Sequence, residues 1–138
     1  MKFTRFCISF ALVAMALTTV NCANQNKSPS ALRRVHFDYD SASMRGDMRN
    51  LMDGNANYLK KYRASKVTIE GHCDERGTNE YNYALGARRA EVAKSYLVTQ
   101  GVSPSRLGTV SFGEDRPLKT GAGESVWYMN RRAEFMKK

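Results

Sequence analysis

The stretch Gly71-His72-Cys73-Asp74-Glu75-Arg76-Gly77-Thr78-Asn79-Glu80-Tyr81-Asn82 gathers acids, a base and amides in one short segment, and Leu85 and Arg88-Arg89-Ala90 follow it. Asp74 and Arg89 are the two groups a zwitterion needs. A carboxylate takes an ammonium, and the planar arginine fork takes a carboxylate through two parallel hydrogen bonds. The segment lies between an alternating apolar run (Val67, Ile69) and a helical pattern. It therefore reads as a strand-to-helix loop, a common seat of binding residues. At roughly 100° per residue, Leu85, Val92 and Tyr96 share one helix stripe, with Arg89 inside it and Arg88 at its edge. An arginine facing a core is costly unless acceptors meet it. Spacing alone leaves two readings open: a structural ion pair between Arg89 and Asp74, or a ligand site built from both.

The neighbours His72, Cys73 and Asp74 also suggest a nucleophile or a metal. Adjacent strand residues point to opposite faces, so His72 and Cys73 do not readily converge. His36 approaches His72 only if their strands pair suitably. Three or four convergent ligands are not evident in the spacing. No glycine-rich phosphate loop or serine elbow is present. The chain is therefore expected to bind rather than catalyse, with no cofactor, no metal and no catalytic residue. Cys73 is expected as a small core-lining residue.

Charge narrows the partners. The 138 residues carry a formal net charge of +9. The basic residues are dispersed in pairs, Arg33-Arg34, Lys60-Lys61, Arg88-Arg89 and Arg131-Arg132. Such dispersal suits solvated faces near an anionic wall or lipid headgroups, and no nucleic-acid role is expected.

The elements that must position these residues begin after a removable segment. Lys2 and Arg5 precede an apolar run from Phe6 to Leu17, too short for a permanent span and matching a secretory signal. Cys22 follows, in a setting that resembles a bacterial lipobox, although Asn21 stands where Gly, Ala or Ser is usual. The expected organisation is a signal at 1–21, a lipidated Cys22 with a short polar tether at 22–31, and one domain at 32–138. Only Cys73 would remain as a thiol, so the fold must rest on its core without disulfides.

Within the domain, Val35 and Phe37 mark the buried side of a first strand. Residues 44–62 carry helical periodicity through Met48, Leu51, Met52, Leu59 and Tyr62, with Ser41 or Ser43 as a cap and Gly54-Asn55 as a weak middle. Strands are predicted at 66–71, 106–112 and 131–136, helices at 80–100 and 125–130, and a loop at 113–124. Gly101 stops the longer of these two helices. The alternation predicts an α/β fold (an α+β sandwich): a single mixed sheet of about four strands with helices packed on one face, in the order βαβαβ(α)β.

Several pieces stand together: Val35-His36-Phe37-Asp38-Tyr39-Asp40; Val67-Thr68-Ile69-Glu70-Gly71-His72; Asp74-Glu75-Arg76-Gly77-Thr78; Tyr81-Asn82 with Leu85-Gly86 and Arg88-Arg89-Ala90; and Asn130-Arg131-Arg132-Ala133-Glu134. In this order, over most of the chain from Val35 onward, they resemble the OmpA-like peptidoglycan-binding family. Asp74-Glu75-Arg76-Gly77-Thr78, the short length and Cys22 resemble its Pal branch of peptidoglycan-associated lipoproteins, from the Tol-Pal system. Cys73 departs from the family, which commonly has Ala or Thr there. The resemblance implies noncovalent binding to the diamino acid of the peptidoglycan stem peptide. Asp74 would meet its ammonium, Arg89 its carboxylate and Arg76 a further carboxylate. Tyr39 and Asp40 would line the pocket, and Asn82 would fix the loop or touch ligand. It also implies a lipid anchor on the periplasmic face of the outer membrane and Tol partners such as TolB. A plain wall tether without Tol partners is the alternative.

Overall fold

The computed structural model describes residues 32–138. The expected signal, Cys22 and the tether lie outside the described residues. The strands are β1 (Val35–His36), β2 (Val67–His72), β3 (Leu107–Gly113) and β4 (Arg132–Lys137); the helices are α1 (Arg49–Lys61), α2 (Asn79–Thr99) and α3 (Glu124–Asn130). One sheet runs in the order β1-β4-β2-β3. β4 is antiparallel to both neighbours, and β2 and β3 are parallel. A parallel pair needs a crossover, and α2 supplies it. The α/β class and the element order agree with the sequence reading.

The core follows the alternation. Val67 and Ile69 are buried while Thr68 and Glu70, which alternate with them, are half-buried. Val35, Phe37, Met52, Leu59 and Leu97 close over the same side. Three local expectations need correction. The helix expected at 44–62 starts with a 3-10 turn at Gly46–Met48, and no side-chain cap precedes it or α1; the Ser41 hydroxyl instead accepts from the Ser43 amide at 3.1 Å. Gly54-Asn55 does not interrupt α1, and the buried Asn55 amide exchanges two 2.8 Å bonds with the Arg33 backbone and ties α1 to the chain entering β1.

The buried stripe of α2 is also displaced from the expected one. It runs through Leu85, Gly86, Arg89, Ala90, Ala93 and Leu97, with Val92 and Tyr96 on its shoulder. Small residues set this rotation. A Cβ on Gly71 would lie 1.8 Å from the Gly86 carbonyl oxygen, and one on Gly86 would lie 2.3 Å from the Ser111 hydroxyl. The α2 backbone therefore rests directly on β2 and β3, which brings Arg89 to the carboxyl end of β2. Among the described residues, no helix is long and apolar enough to cross a membrane.

The opposite face of the sheet is polar. His36 pairs with Arg132 and Arg132 with His72, so the two histidines sit two strands apart. On the same face Glu70 lies directly across from Glu134.

Candidate ligand-binding site

The β2–α2 loop is fixed from both ends. Gly77 takes φ +114°, a left-handed conformation that favours glycine. The Thr78 hydroxyl caps α2 by accepting from the Tyr81 amide at 3.2 Å. Asn82, one turn into α2, donates to the carbonyls of Asp74 and Arg76 at 3.2 Å each and meets the Glu114 carboxylate. Those contacts engage its amide donors, so Asn82 shapes the loop.

A cavity of about 110 Å³ opens between this loop, the start of α2 and the chain leaving β1. Tyr39, Asp40, Asp74, Arg76, Asn82 and Arg89 all line it, so the residues that the sequence reading set apart converge on one place. Drug-sized ligands occupy pockets of about 300 Å³ or more. This one has room for the charged end of a ligand and not for a whole peptide.

Of the two readings that spacing left open, the Asp74–Arg89 ion pair does not form. Asp74, 4% exposed, is held by two other arginines. Arg76 grips it with both prongs, Nε to Oδ1 at 3.1 Å and Nη2 to Oδ2 at 2.7 Å, and its backbone amide adds a third bond at 3.1 Å. Arg131 donates to Oδ2 at 3.3 Å. Burial works against the charge on Asp74, but the hydrogen bonds from Arg76 and Arg131 outweigh it and hold the carboxyl below its ordinary range.

Arg89 is 1% exposed and is met by carbonyls. It donates to Ser41 O at 2.9 Å, His72 O at 2.9 Å and Asp38 O at 3.0 Å, and to Cys73 Sγ at 3.3 Å. Its guanidinium lies over the Phe37 ring at 5.2 Å. Among the described residues it makes no ion pair, because three carbonyls at the strand end and the β1–α1 connection reach it first. Burial lowers its pKa from the ordinary value, with Asp74 among the charges opposing that shift; an arginine nevertheless stays charged. The pocket wall thus presents a desolvated positive charge with no carboxylate on it.

The rim is aromatic. Arg76 lies between the rings of Tyr39 and Trp127, 4.0 Å from each, and Tyr39 is 60% exposed. Trp127 donates to Glu75 at 3.1 Å. Asp40 takes a positive φ of 48°, which Asp tolerates better than most residues, and its carboxylate accepts from the Tyr81 hydroxyl. Cys73, itself buried, is among the residues that line the cavity. Burial pushes its thiol up to about 11, so it is an inert packing group.

Sequence reasoning gave no role to Arg131, Glu124 or Trp127. Arg131 is buried, ion-pairs with Glu124 as well as Asp74, and donates to Phe37 O at 3.0 Å. Strand alternation carried a signal for it. Adjacent Arg131 and Arg132 must point oppositely, one toward the pocket and one toward the other face of the sheet. The four charged groups lining the cavity are two carboxylates, Asp40 and Asp74, and two guanidiniums, Arg76 and Arg89. That balance suits a ligand bearing both signs of charge.

A model of the OmpA family matches residues 36–131. A peptidoglycan-associated lipoprotein of Mesorhizobium japonicum is 48% identical over 100 residues, which are 72% of this chain and 60% of that relative. The protein of the same name from Agrobacterium fabrum is 37% identical over 149 residues, covering 89% of this chain and 84% of the relative. The chain spans less than two thirds of several of these relatives, 64% for the Pseudomonas putida protein. The crystal structure of the peptidoglycan-associated lipoprotein from Burkholderia pseudomallei aligns with a TM-score of 0.78 at 40% identity, covering 83% of this chain and 98% of that one. The C-terminal domain of Helicobacter pylori MotB aligns with a TM-score of 0.72 at 22% identity, covering 78% and 85%, a likeness of fold alone.

Proposed function

The chain belongs to the OmpA family and groups there with peptidoglycan-associated lipoproteins, and on that premise we propose that its pocket clasps the zwitterionic end of the diamino acid in a peptidoglycan stem peptide. The observation that carries this reading is the buried guanidinium of Arg89 on the cavity wall, held by carbonyls and free of any carboxylate partner among the described residues. In this reading the ligand carboxylate lies against Arg89 and the ammonium goes to Asp74.

The lone pairs of Asp74 are already engaged by Arg76 and Arg131. The ammonium therefore takes the place of Arg76, whose side chain is 29% exposed. Arg76 turns outward along the rings of Tyr39 and Trp127 and meets a further ligand carboxylate. Charge-assisted hydrogen bonds contribute about 1.5–3 kcal/mol each. Two or three of them, less the ordering cost, give modest affinity per stem, and repetition along a polymer adds avidity.

The domain's place in the cell follows from the same reading. Residues 1–21 direct export, Cys22 carries lipid, and residues 22–31 tether the domain to the periplasmic face of the outer membrane. The protein then links membrane to wall as a binding module, with Tol proteins such as TolB as partners. Acyl-probe labelling that is lost in Cys22→Ser supports the anchor, and unchanged labelling removes it. Capture of TolB by the purified protein supports the Tol link, and its failure leaves a plain tether. Co-sedimentation with purified peptidoglycan, competed by free stem peptide, tests the binding function itself.

A further inference from the structure

On the face of the sheet opposite α1 and α2, away from the pocket, Glu70 on β2 lies directly across from Glu134 on β4, and His72 follows Glu70 on the same face. Two like charges placed opposite one another in an antiparallel pair repel. Glu134 has cations, since Arg132 and Arg34 reach its Oε1 at 2.9 and 3.3 Å. Glu70 has no arginine or lysine partner among the described residues; its neighbour is the His72 ring, Nε2 to Oε2 at 3.6 Å.

His72 is the unusual group. It is 1% exposed, yet neither ring nitrogen has a hydrogen-bond partner. Buried polar atoms without partners are rare, and each calls for an explanation. The ring is held by Phe112, stacked at a centroid distance of 5.6 Å and an interplanar angle of 26°. Its Nε2 faces a carboxylate at a separation too long for a good hydrogen bond. Two ligands of a tetrahedral zinc ion, each about 2.0–2.1 Å from the metal, stand about 3.3–3.5 Å apart. One ligand atom from each of Glu70, His72 and Glu134 lies within 4.8 Å of the others, a gap that small glutamate rotations close.

We propose that Glu70, His72 and Glu134 form a binding site for a divalent cation of the zinc type. The donor set, one imidazole and two carboxylates, suits zinc, with a water in the fourth position. Burial, with Arg132 next in weight, pushes the His72 pKa down to about 4, so the ring offers its lone pair without first losing a proton. Both arginines meet Glu134 on Oε1, which leaves Oε2 to face the ion. Arg34, half-exposed, swings away as the ion enters, and Arg132 moderates the affinity by repulsion. The sequence reading found no convergent ligands because Glu134 arrives from a strand far along the chain.

The experiment is a titration of zinc chloride into the metal-free protein from residue 22 onward, with Cys22 lipidated or replaced by Ser, read by calorimetry, with cobalt(II) absorption as a second readout. The expected result is one ion per chain and a rise in Tm of about 5 °C at saturation. Glu70→Gln, Glu134→Gln and His72→Gln each weaken binding at least about tenfold, while Arg34→Ala tightens it. His36→Gln leaves it unchanged. Should His72→Gln fail to fold, the glutamate variants and Arg34→Ala carry the test. Binding that is absent, or that survives both Glu70→Gln and Glu134→Gln, overturns the site and leaves a buried His72–Glu70 contact only.

Discussion

Asp74 and Arg76, separated by a single residue, form a two-pronged pair: Nη2 to Oδ2 at 2.7 Å and Nε to Oδ1 at 3.1 Å. The acid assigned to the ligand's ammonium is therefore covered by its own neighbour. Stacking between Tyr39 and Trp127 holds the guanidinium there. Ligand entry must exchange one cation for another on the same carboxylate. That exchange rewards a ligand that also brings a carboxylate for the displaced arginine. Arg76→Ala is expected to lower affinity for a diaminopimelate-containing stem peptide whose further carboxylate is free, while sparing the same peptide with that carboxylate amidated. Its preference between the two should fall at least about tenfold, since a charge-assisted bond is lost with only one of them. Calorimetry on both peptides measures this, and an unchanged preference removes Arg76 from the ligand.

Arg89 is a structural staple as well as a wall of the pocket. Its three carbonyl partners, Asp38, Ser41 and His72, belong to the β1–α1 connection and the end of β2. Arg89→Ala leaves these acceptors buried without donors and is expected to cost about 3 kcal/mol of stability. Urea denaturation reads this directly. Arg89→Lys keeps the charge but loses the fork, so it should remain folded at room temperature with weakened binding.

Acid should act on Asp74. Its folded pKa is depressed below the ordinary carboxylate value. The stability it contributes is therefore present above the unfolded pKa of about 3.9 and is lost as pH falls through the lower, folded value. Below about pH 4 the wild-type protein should lose stability with each step in pH, and Asp74→Asn should show a shallower slope. Equal slopes in the two proteins would mean that Asp74 is not the group responsible.

The contact between α2 and the sheet has no room for a methyl group. A Cβ at Gly71 would stand 1.8 Å from a backbone oxygen that cannot rotate away. Gly71→Ala should destabilise by about 3 kcal/mol or more. Gly54→Ala, in open space on α1, should be stabilising by up to about 1 kcal/mol, because alanine favours helix. Thermal denaturation of the pair checks both signs.

Much of this was legible in the chain because it rests on local pattern. Val67 and Ile69 alternate with Thr68 and Glu70, and that alone places β2 and its core side. Arg89 stood out because its helical phase put a charge where a core residue belongs. Its partners were not legible, since carbonyls carry no signature in side-chain sequence. Nor was the role of Arg131, whose reach to Asp74 depends on β4 lying beside β1 and β2, a long-range pairing. The rotation of α2 was misplaced for a related reason. Gly86, Ala90 and Ala93 are weak signals in a hydrophobic projection, yet their small size decides how closely the helix approaches. The cluster of Glu70, His72 and Glu134 likewise appears only once strand register is known.

In the proposed binding mode, opposite charges in one small cavity grip both ends of a zwitterion. The direct measurement is calorimetric affinity for a diaminopimelate-containing stem peptide against two altered peptides, one with the distal amino group acetylated and one with the distal carboxylate removed. Testing the ligand in this way leaves the fold untouched. Each alteration should weaken binding by about 10- to 100-fold, the equivalent of one charge-assisted hydrogen bond. Affinities within twofold of the unaltered peptide would show that the pocket does not recognise the zwitterion.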